Sequence, residues 1–379
     1  VQSTVVALDV SVGVTIALLV VAAGVALMGQ GFKKERIPAS IQTLLLLGLS
    51  LGVVVSGGAM RAVFLAMVFG MTGLMLVKRA GSCPVVRGSL GVGSAGMACL
   101  IASLWAPPPA ATVLQVIGYA TALPLFPFHG LFVGAVAHLP ASVAVFAGFA
   151  LPFLGFIELG SVGSALPAWM QTGLFVPALL GALYGVMKVI AGHHVGEQAA
   201  YLGVSLLAVP WWHLSVTGNA APAALYVTAT ALALLGLRLA AGFLLTRFGH
   251  LDIDKIRGLA RPMPRFATLL TLLMMAVMGL PLFGVFSGFM ALLLGPSSFG
   301  AAGLAGVVVL WFLASWLMTH LLQRLLFGPP RTDALYRDLT WSEACSLAVV
   351  LVVLAAGAIM PADGFQIGHG PEVSWLSRR

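Results

Sequence analysis

Long apolar runs separated by short polar connections dominate the chain. The apolar segments fall near residues 8–29, 37–58, 60–77, 89–106, 111–127, 140–163, 172–192, 198–216, 221–246, 266–295, 301–323 and 343–360. No Asp, Glu, Lys or Arg occurs in residues 10–32, 37–60, 88–157, 159–187, 198–237 or 266–323. Each window is long enough for at least one span of about 20 apolar residues. The pattern predicts an all-α, polytopic transmembrane helix bundle of about 12 spans with discontinuous helices. The stretch 266–295 carries Gly279-Leu280-Pro281 near its middle and reads as one broken helix or two short ones. Proline removes a backbone hydrogen bond, which a membrane helix tolerates where protein or water satisfies the freed group. One broken helix gives 12 spans and puts every basic cluster on one side. Two short helices give 13 and move the cluster at 324–337 across. The bias of Lys and Arg toward cytoplasmic loops favours 12, with both termini outside.

Composition agrees with this pattern. The chain is 60% hydrophobic and only 8% charged, against roughly 25% charged in an ordinary soluble domain, so a water-soluble enzyme is excluded. The net charge of +8 would suggest nucleic acid in a soluble protein. Here the cations cluster in short loops: Lys33, Lys34 and Arg36; Lys78, Arg79 and Arg87; Arg247, Lys255, Arg257, Arg261 and Arg265; Arg324, Arg331 and Arg337. They set orientation, and no nucleic-acid partner is expected. Cys83, Cys99 and Cys345 lack CxxC spacing, so neither a metal site nor a disulfide framework is indicated. The first apolar segment has no small-residue cleavage motif and reads as a span. The 45 glycines suit close helix packing. No phosphate loop, HExxH motif or Ser/His/Asp arrangement stands out, and no soluble domain interrupts the array.

Ionisable residues at membrane depth are costly, so each is a functional candidate. Glu158 lies toward the outer end of its span and Lys188 toward the inner end of the next; Arg238 lies within 221–246. Histidines stand at positions 129, 138, 193, 194, 213 and 320. Glu158 and Lys188 differ in depth by about ten residues, roughly 15 Å, so a relay between them needs intervening water or histidine. Alternatively both snorkel to their interfaces. His129 reads as a span-end residue before a Gly-rich connection ending at His138. Adjacent His193 and His194 face about 100° apart on a helix and suit one metal poorly. Arg238 either snorkels or pairs with a neighbouring subunit. The proton-path candidates are therefore Lys188, Glu158, His129, His193, His194 and Arg238. Trp211, Trp212, Trp311 and Trp316 read as interfacial or packing aromatics.

Several segments in order resemble the antiporter-like, M-type membrane subunits of respiratory complex I, with related chains in membrane-bound hydrogenases and multi-subunit cation/proton antiporters. Leu125-Phe126-Pro127-Phe128-His129-Gly130 resembles the family's PFHxW element, followed by Pro140-Ala141-Ser142 and Ala147-Gly148. Tyr184-Gly185 and Ala200-Tyr201 resemble the next helix pair; Gly279-Leu280-Pro281 with Ser287-Gly288-Phe289 resembles its broken-helix motif. Gln323-Arg324-Leu325-Leu326-Phe327-Gly328-Pro329, then Arg337-Asp338-Leu339 and Trp341-Ser342-Glu343, resemble a late helix and the lead into the last. The resemblance implies a division into N-terminal spans 1–110, an antiporter-like bundle 111–362 and a tail 363–379. It also implies a central proton path through a lysine in the first broken helix, a charge before the AY element and a glutamate or lysine in the second broken helix. Those positions hold Pro152, Gly196 and Phe289. None can be protonated, and residues 88–157 hold no acid to replace the family's acidic partner. The chain is also shorter than the usual fourteen-span member.

The resemblance thus implies a membrane subunit of a complex I-related proton-translocating assembly in an energy-transducing membrane such as the bacterial inner membrane, shortened and degenerate, with a modified or lost proton path. Lys188, Glu158, His129 and the histidine pair are the groups left for a rearranged route. The alternative is the ion-coupling membrane subunit of a two-component inorganic-carbon uptake system, whose partner is a soluble zinc protein. An independent solute carrier ranks below both, because no symmetric pair of charged positions is present. Other membrane and peripheral subunits are the expected partners. No cofactor is expected: NADH, flavin and quinone motifs are absent, and redox chemistry would sit in partners.

Overall fold

The computed structural model describes residues 10–29, 37–79, 84–162, 166–192, 194–249, 256–294, 301–328 and 336–359. The expected tail at 363–379 lies outside them. All regular elements among the described residues are helical. Four helices open the bundle: α1 (Val10–Met28), α2 (Ile37–Val55), α3 (Ala59–Arg79) and α4 (Pro84–Ala102). Then come α5 (Ala110–Ala122), α6 (Gly130–His138), α7 (Ala141–Val162), α8 (Ala168–Gly173), α9 (Phe175–Ala191), α10 (Val195–Leu206) and α11 (Ala208–Thr217). A single 3-10 turn leads into α12 (Ala224–Phe248), followed by α13 (Pro264–Val277), α14 (Gly284–Leu294), α15 (Ala301–Leu326) and α16 (Trp341–Ile359).

Among the described residues, ten helical segments are long and apolar enough to cross a membrane, with α8–α9 and α10–α11 each making one of them. The shorter pairs α5–α6 and α13–α14 supply two more crossings, so the array has the twelve spans expected. Alternating direction then puts the polar connections after α3, α12 and α15 on one face, with exposed Lys78, Arg87, Arg257, Arg261, Arg265, Arg324 and Arg337. This is called the basic side below. The stretch 266–295 is one broken crossing: Gly279 adopts φ 75° and turns the chain between α13 and α14, a backbone state that only glycine enters freely.

One expectation needs correction. Residues 130–138 are not a loop, and His129 is not at a span end. Pro124 and Pro127 stop α5 because they lack the N–H a helix needs, and the apolar stretch after His129 winds again as α6. Side-chain contacts with α4 follow a steady antiparallel order. Gly118 packs on Leu100, Gly96 on Thr121, Gly93 on Leu131 and Gly134 on Ser89. The pair α5–α6 is therefore one crossing unwound in its middle. In contrast, α7 runs unbroken through Pro152, where the resemblance implies a broken helix.

Burial is graded across the bundle. α12 is enclosed from Ala224 to Leu244 and α7 from Ser142 to Leu159, whereas about a third or fewer of the residues in the spans of α1, α2, α4, α15 and α16 are buried. The first two pack against each other. A half-buried clasp closes the basic side. Arg247 donates to both carboxylate oxygens of Glu343, at 3.2 and 2.6 Å, and to the Arg337 carbonyl at 2.7 Å. Asp338 accepts the first amides of α13, from Arg265 and Phe266, satisfying donors that a helix start leaves free. Thr340 and Glu343 cap α16 reciprocally.

Candidate proton-path site

The break in α5–α6 organises the polar interior. Its unwound stretch, Leu123–Phe128, is gripped from three directions. The Trp211 indole on α11 donates to the Leu123 carbonyl at 3.1 Å. Gly155 on α7 and Gly181 on α9 let those helices press against the unwound backbone; a Cβ built at Gly155 would stand 2.6 Å from the Leu123 amide nitrogen. Non-helical backbone at membrane depth persists only where protein or a wet cavity surrounds it, and here it is held mainly by protein.

His129 ends this stretch and faces an aromatic cluster. Its ring stacks on Phe126 at 5.8 Å and lies 5.1 Å from Tyr184 and 6.4 Å from Tyr201. Beyond those two tyrosines sits Lys188, its Nζ 5.7 Å from the Tyr184 ring centre and 5.8 Å from that of Tyr201, close enough for cation–π attraction. The Tyr184 and Tyr201 rings meet edge-on, with their centroids 5.9 Å apart. The Lys188 charge also acts on His129. Beside this group opens a cavity of about 170 Å3 on the basic side, lined by His138, Lys188, Glu197 and Tyr201 with Val85, Val133, Ala191 and Gly192. Among the described residues, His129 Nδ1 and His138 Nε2 are buried without a hydrogen-bond partner.

Glu158 lies apart. It is 3% exposed, and among the described residues its Oε1 has no hydrogen-bond partner. Arg61, at the start of α3, exerts its charge on Glu158, and Glu158 in turn on Tyr119 of α5. The carboxyl lies within the enclosed stretch of α7, from Ser142 to Leu159, and does not snorkel. At 1.5 Å per residue, Lys188 is about 5 Å from the basic end of its helix, His129 about 13 Å and Glu158 about 25 Å. His129 thus stands at a depth between the other two.

Arg238 corrects both alternatives posed for it. It is 2% exposed on α12, so it neither reaches an interface nor meets a neighbouring subunit. Its Nε donates to the Val136 carbonyl at 2.6 Å, in the last turn of α6, where helix carbonyls lack partners and a cation is favourable. His194 is exposed at the N-cap of α10 and its carbonyl accepts from the Gln198 amide; His193 lies outside the described residues. Among the described residues no group of three His, Cys, Asp or Glu side chains is placed to hold a metal. Sequence reasoning passed over Arg61, Tyr119 and Glu197, and took Tyr184 and Tyr201 only as motif marks. With 11 acids in the chain, Glu197 beside Gly196 was the available signal.

One position that the resemblance assigns to the central path is filled by packing. Phe289, 1% exposed, lies 4.0 Å from the Trp311 ring and 6.1 Å from that of Tyr226. Gly288 brings α14 directly onto the backbone at Tyr226. The slot between α10, α12, α13 and α15 has about 20 Å3 of free space, and Gln198 is its one polar lining residue. The Gln198 amide nitrogen is already committed to the Val189 and Gly192 carbonyls.

A twelve-crossing helical bundle with two broken spans, polar groups gathered at one break and basic loops on one face defines an antiporter-like integral membrane protein. The family match is specific. Residues 109–315 match the family described as NADH:quinone oxidoreductase/Mrp antiporter, TM, and the chain belongs to it. It is 28% identical over 258 residues to formate hydrogenlyase subunit 3 of Escherichia coli, covering 58% of this chain and 41% of that protein. It is 32% identical over 196 residues to NADH-quinone oxidoreductase subunit 13 of Thermus thermophilus, covering 47% and 39%. The chain thus spans about two-fifths of the length of the curated relatives it matches. Its fold is shared with a chain of Thermus thermophilus respiratory complex I with bound NADH, at a TM-score of 0.75 and 23% identity, over 93% of this chain and 80% of that one.

Proposed function

We propose that this chain is a membrane subunit of a complex I-related assembly in an energy-transducing membrane, in which the family fold is kept and the ordinary proton path is closed. The observation that carries the reading is Phe289, a fully enclosed ring against Trp311 at 4.0 Å where a protonatable group is expected. Proton movement across a low-dielectric core needs titratable groups or ordered water. Neither Pro152, Gly196 nor Phe289 can carry a proton, and the adjoining slot has one polar lining residue. Redox chemistry belongs to partner subunits, and residues 111–362 are the part that corresponds to the antiporter-like bundle.

Partner composition tests the assignment. The intact complex is isolated in mild detergent, and every protein present in stoichiometric amount is identified by mass spectrometry. Homologous antiporter-like chains together with iron–sulfur subunits are expected. A single soluble zinc-binding partner would overturn the reading in favour of inorganic-carbon uptake.

A further inference from the structure

We propose that the basic-side cavity is a lipid site that takes the headgroup of an aminophospholipid, with the phosphate at Lys188 and the primary ammonium at Glu197. The inference goes beyond the family reading above and gives a ligand to residues which that reading leaves unused.

Charge pattern, depth and lateral access all point the same way. Lys188 and Glu197 line one cavity of about 170 Å3 without pairing with each other or with another described residue. A ligand carrying both charges answers both walls at once. A simple anion would face Glu197, and a simple cation Lys188, with the wrong sign. His138 Nε2 is buried without a partner among the described residues and lines the same space; in one tautomer it can donate to a phosphate oxygen. Lys188 stands about 5 Å from the basic end of its helix, within the headgroup layer of about 5–8 Å that flanks a hydrocarbon core about 30 Å thick. About 15 Å3 of such space admits one water, so the cavity takes the phosphate and ammonium together with waters that bridge them to its wall.

The cavity also opens sideways. α6 packs on α4 and on α10, and α10 packs on α9, whereas α4 and α9 have no comparable packing on each other among the described residues. The cavity therefore lies in a cleft floored by α6 and α10, with exposed Val85 of α4 and exposed Lys188 and Ala191 of α9 at its flanks. Leu180, Leu183, Met187 and Ile190 are exposed and share one face of α9 at helical spacing; Met187 is one turn from Ala191 in the cavity wall. Acyl chains leaving the headgroup have this apolar face to lie on. The amine is primary for a stated reason. Quaternary ammonium is recognised by cages of aromatic rings, and Lys188 already occupies the two tyrosines here, 5.7 and 5.8 Å from their ring centres. Glu197 instead accepts N–H bonds, which a quaternary group lacks.

The test uses the full chain, purified in mild detergent, stripped of lipid and titrated with phosphatidylethanolamine, phosphatidylglycerol, phosphatidylcholine or water-soluble glycerophosphoethanolamine. Bound molecules are counted by native mass spectrometry. One phosphatidylethanolamine is expected to bind about fivefold tighter than either other lipid, the worth of one charge contact near a membrane surface. Lys188→Ala is expected to weaken it by a similar factor. Glu197→Gln is expected to erase the preference over phosphatidylglycerol, and Glu197→Asp to keep part of it. Equal affinity for the three lipids, or a preference that survives Glu197→Gln, overturns the proposal. Glycerophosphoethanolamine bound as tightly as the whole lipid also overturns it, in favour of a soluble zwitterion. In the intact assembly, a photo-activated phosphatidylethanolamine is expected to label α9 or α10; labelling of neither would mean that a neighbouring subunit covers the cleft and would overturn it too. Lys188 is exposed and Glu197 half-buried, and each variant is checked for a monodisperse elution profile. The partner composition of the assembly stands under every outcome, so this inference fails separately from the family assignment.

Discussion

Replacing Phe289 with alanine probes directly the proposal that the central axis is closed. In water, a Phe→Ala change in a core costs about 3–5 kcal/mol, part of it the loss of hydrophobic transfer. Between membrane helices that part largely disappears, because the separated helices still sit in lipid. What remains is the cavity. Removing roughly 100 Å3 at about 24 cal/mol per Å3 gives about 2.4 kcal/mol. Loss of the pairing with Trp311 at 4.0 Å adds about 0.5–1.5 kcal/mol. Phe289→Ala is therefore expected to destabilise by about 3 kcal/mol, measured by reversible unfolding in mixed micelles. The new space is walled by Trp311, Tyr226 and aliphatic side chains and stays dry, as apolar cavities of this size do, so the variant gains no proton conductance. A cost below about 0.5 kcal/mol would show that the ring is not packed as described. Conductance gained from this single change would refute the argument that the axis is closed by missing titratable groups as well as by packing.

Other expectations follow from the same geometry. Arg247→Ala breaks a bidentate pair whose side chains are only 10% and 16% exposed and is expected to cost about 3 kcal/mol. Thermal unfolding of Arg247→Ala, Glu343→Ala and the double variant should show a coupling of about 1–3 kcal/mol, and strict additivity would mean the clasp is not a unit. Trp211→Phe leaves the enclosed Leu123 carbonyl without its donor and is expected to cost about 1–3 kcal/mol, with faster hydrogen exchange in the unwound segment than in α12. Unchanged exchange there would show that the indole does not hold the break.

Much of the fold was legible because the bilayer imposes a coarse rule. A helix must satisfy its own backbone groups and be about 20 apolar residues long, so charge-free windows locate crossings. The basic loops chose between twelve and thirteen spans, and Gly279-Leu280-Pro281 marked the second break correctly. The first break was missed for a physical reason. Residues 130–138 are rich in Gly and Ala, which read as connection from sequence but pack as helix once α4 offers matching small residues. Depth along the spans separated Glu158 from Lys188, so that a relay between them needed intervening water or histidine. Sequence could not place His129 at a depth between the two, because that depth depends on where the helix stops and restarts. Nor could it place Arg238, whose partner is a backbone carbonyl over a hundred positions away in the chain.

Ordered water is the most direct reading of the central claim, seen in a high-resolution cryo-EM map of the chain within its native assembly. The proposed closure of the axis predicts waters in the basic-side cavity beside Lys188 and Glu197. It predicts at most one water in the slot between α10, α12, α13 and α15, on the free oxygen of Gln198, and none against Phe289. A continuous file of waters from Gly196 past Phe289 would contradict it.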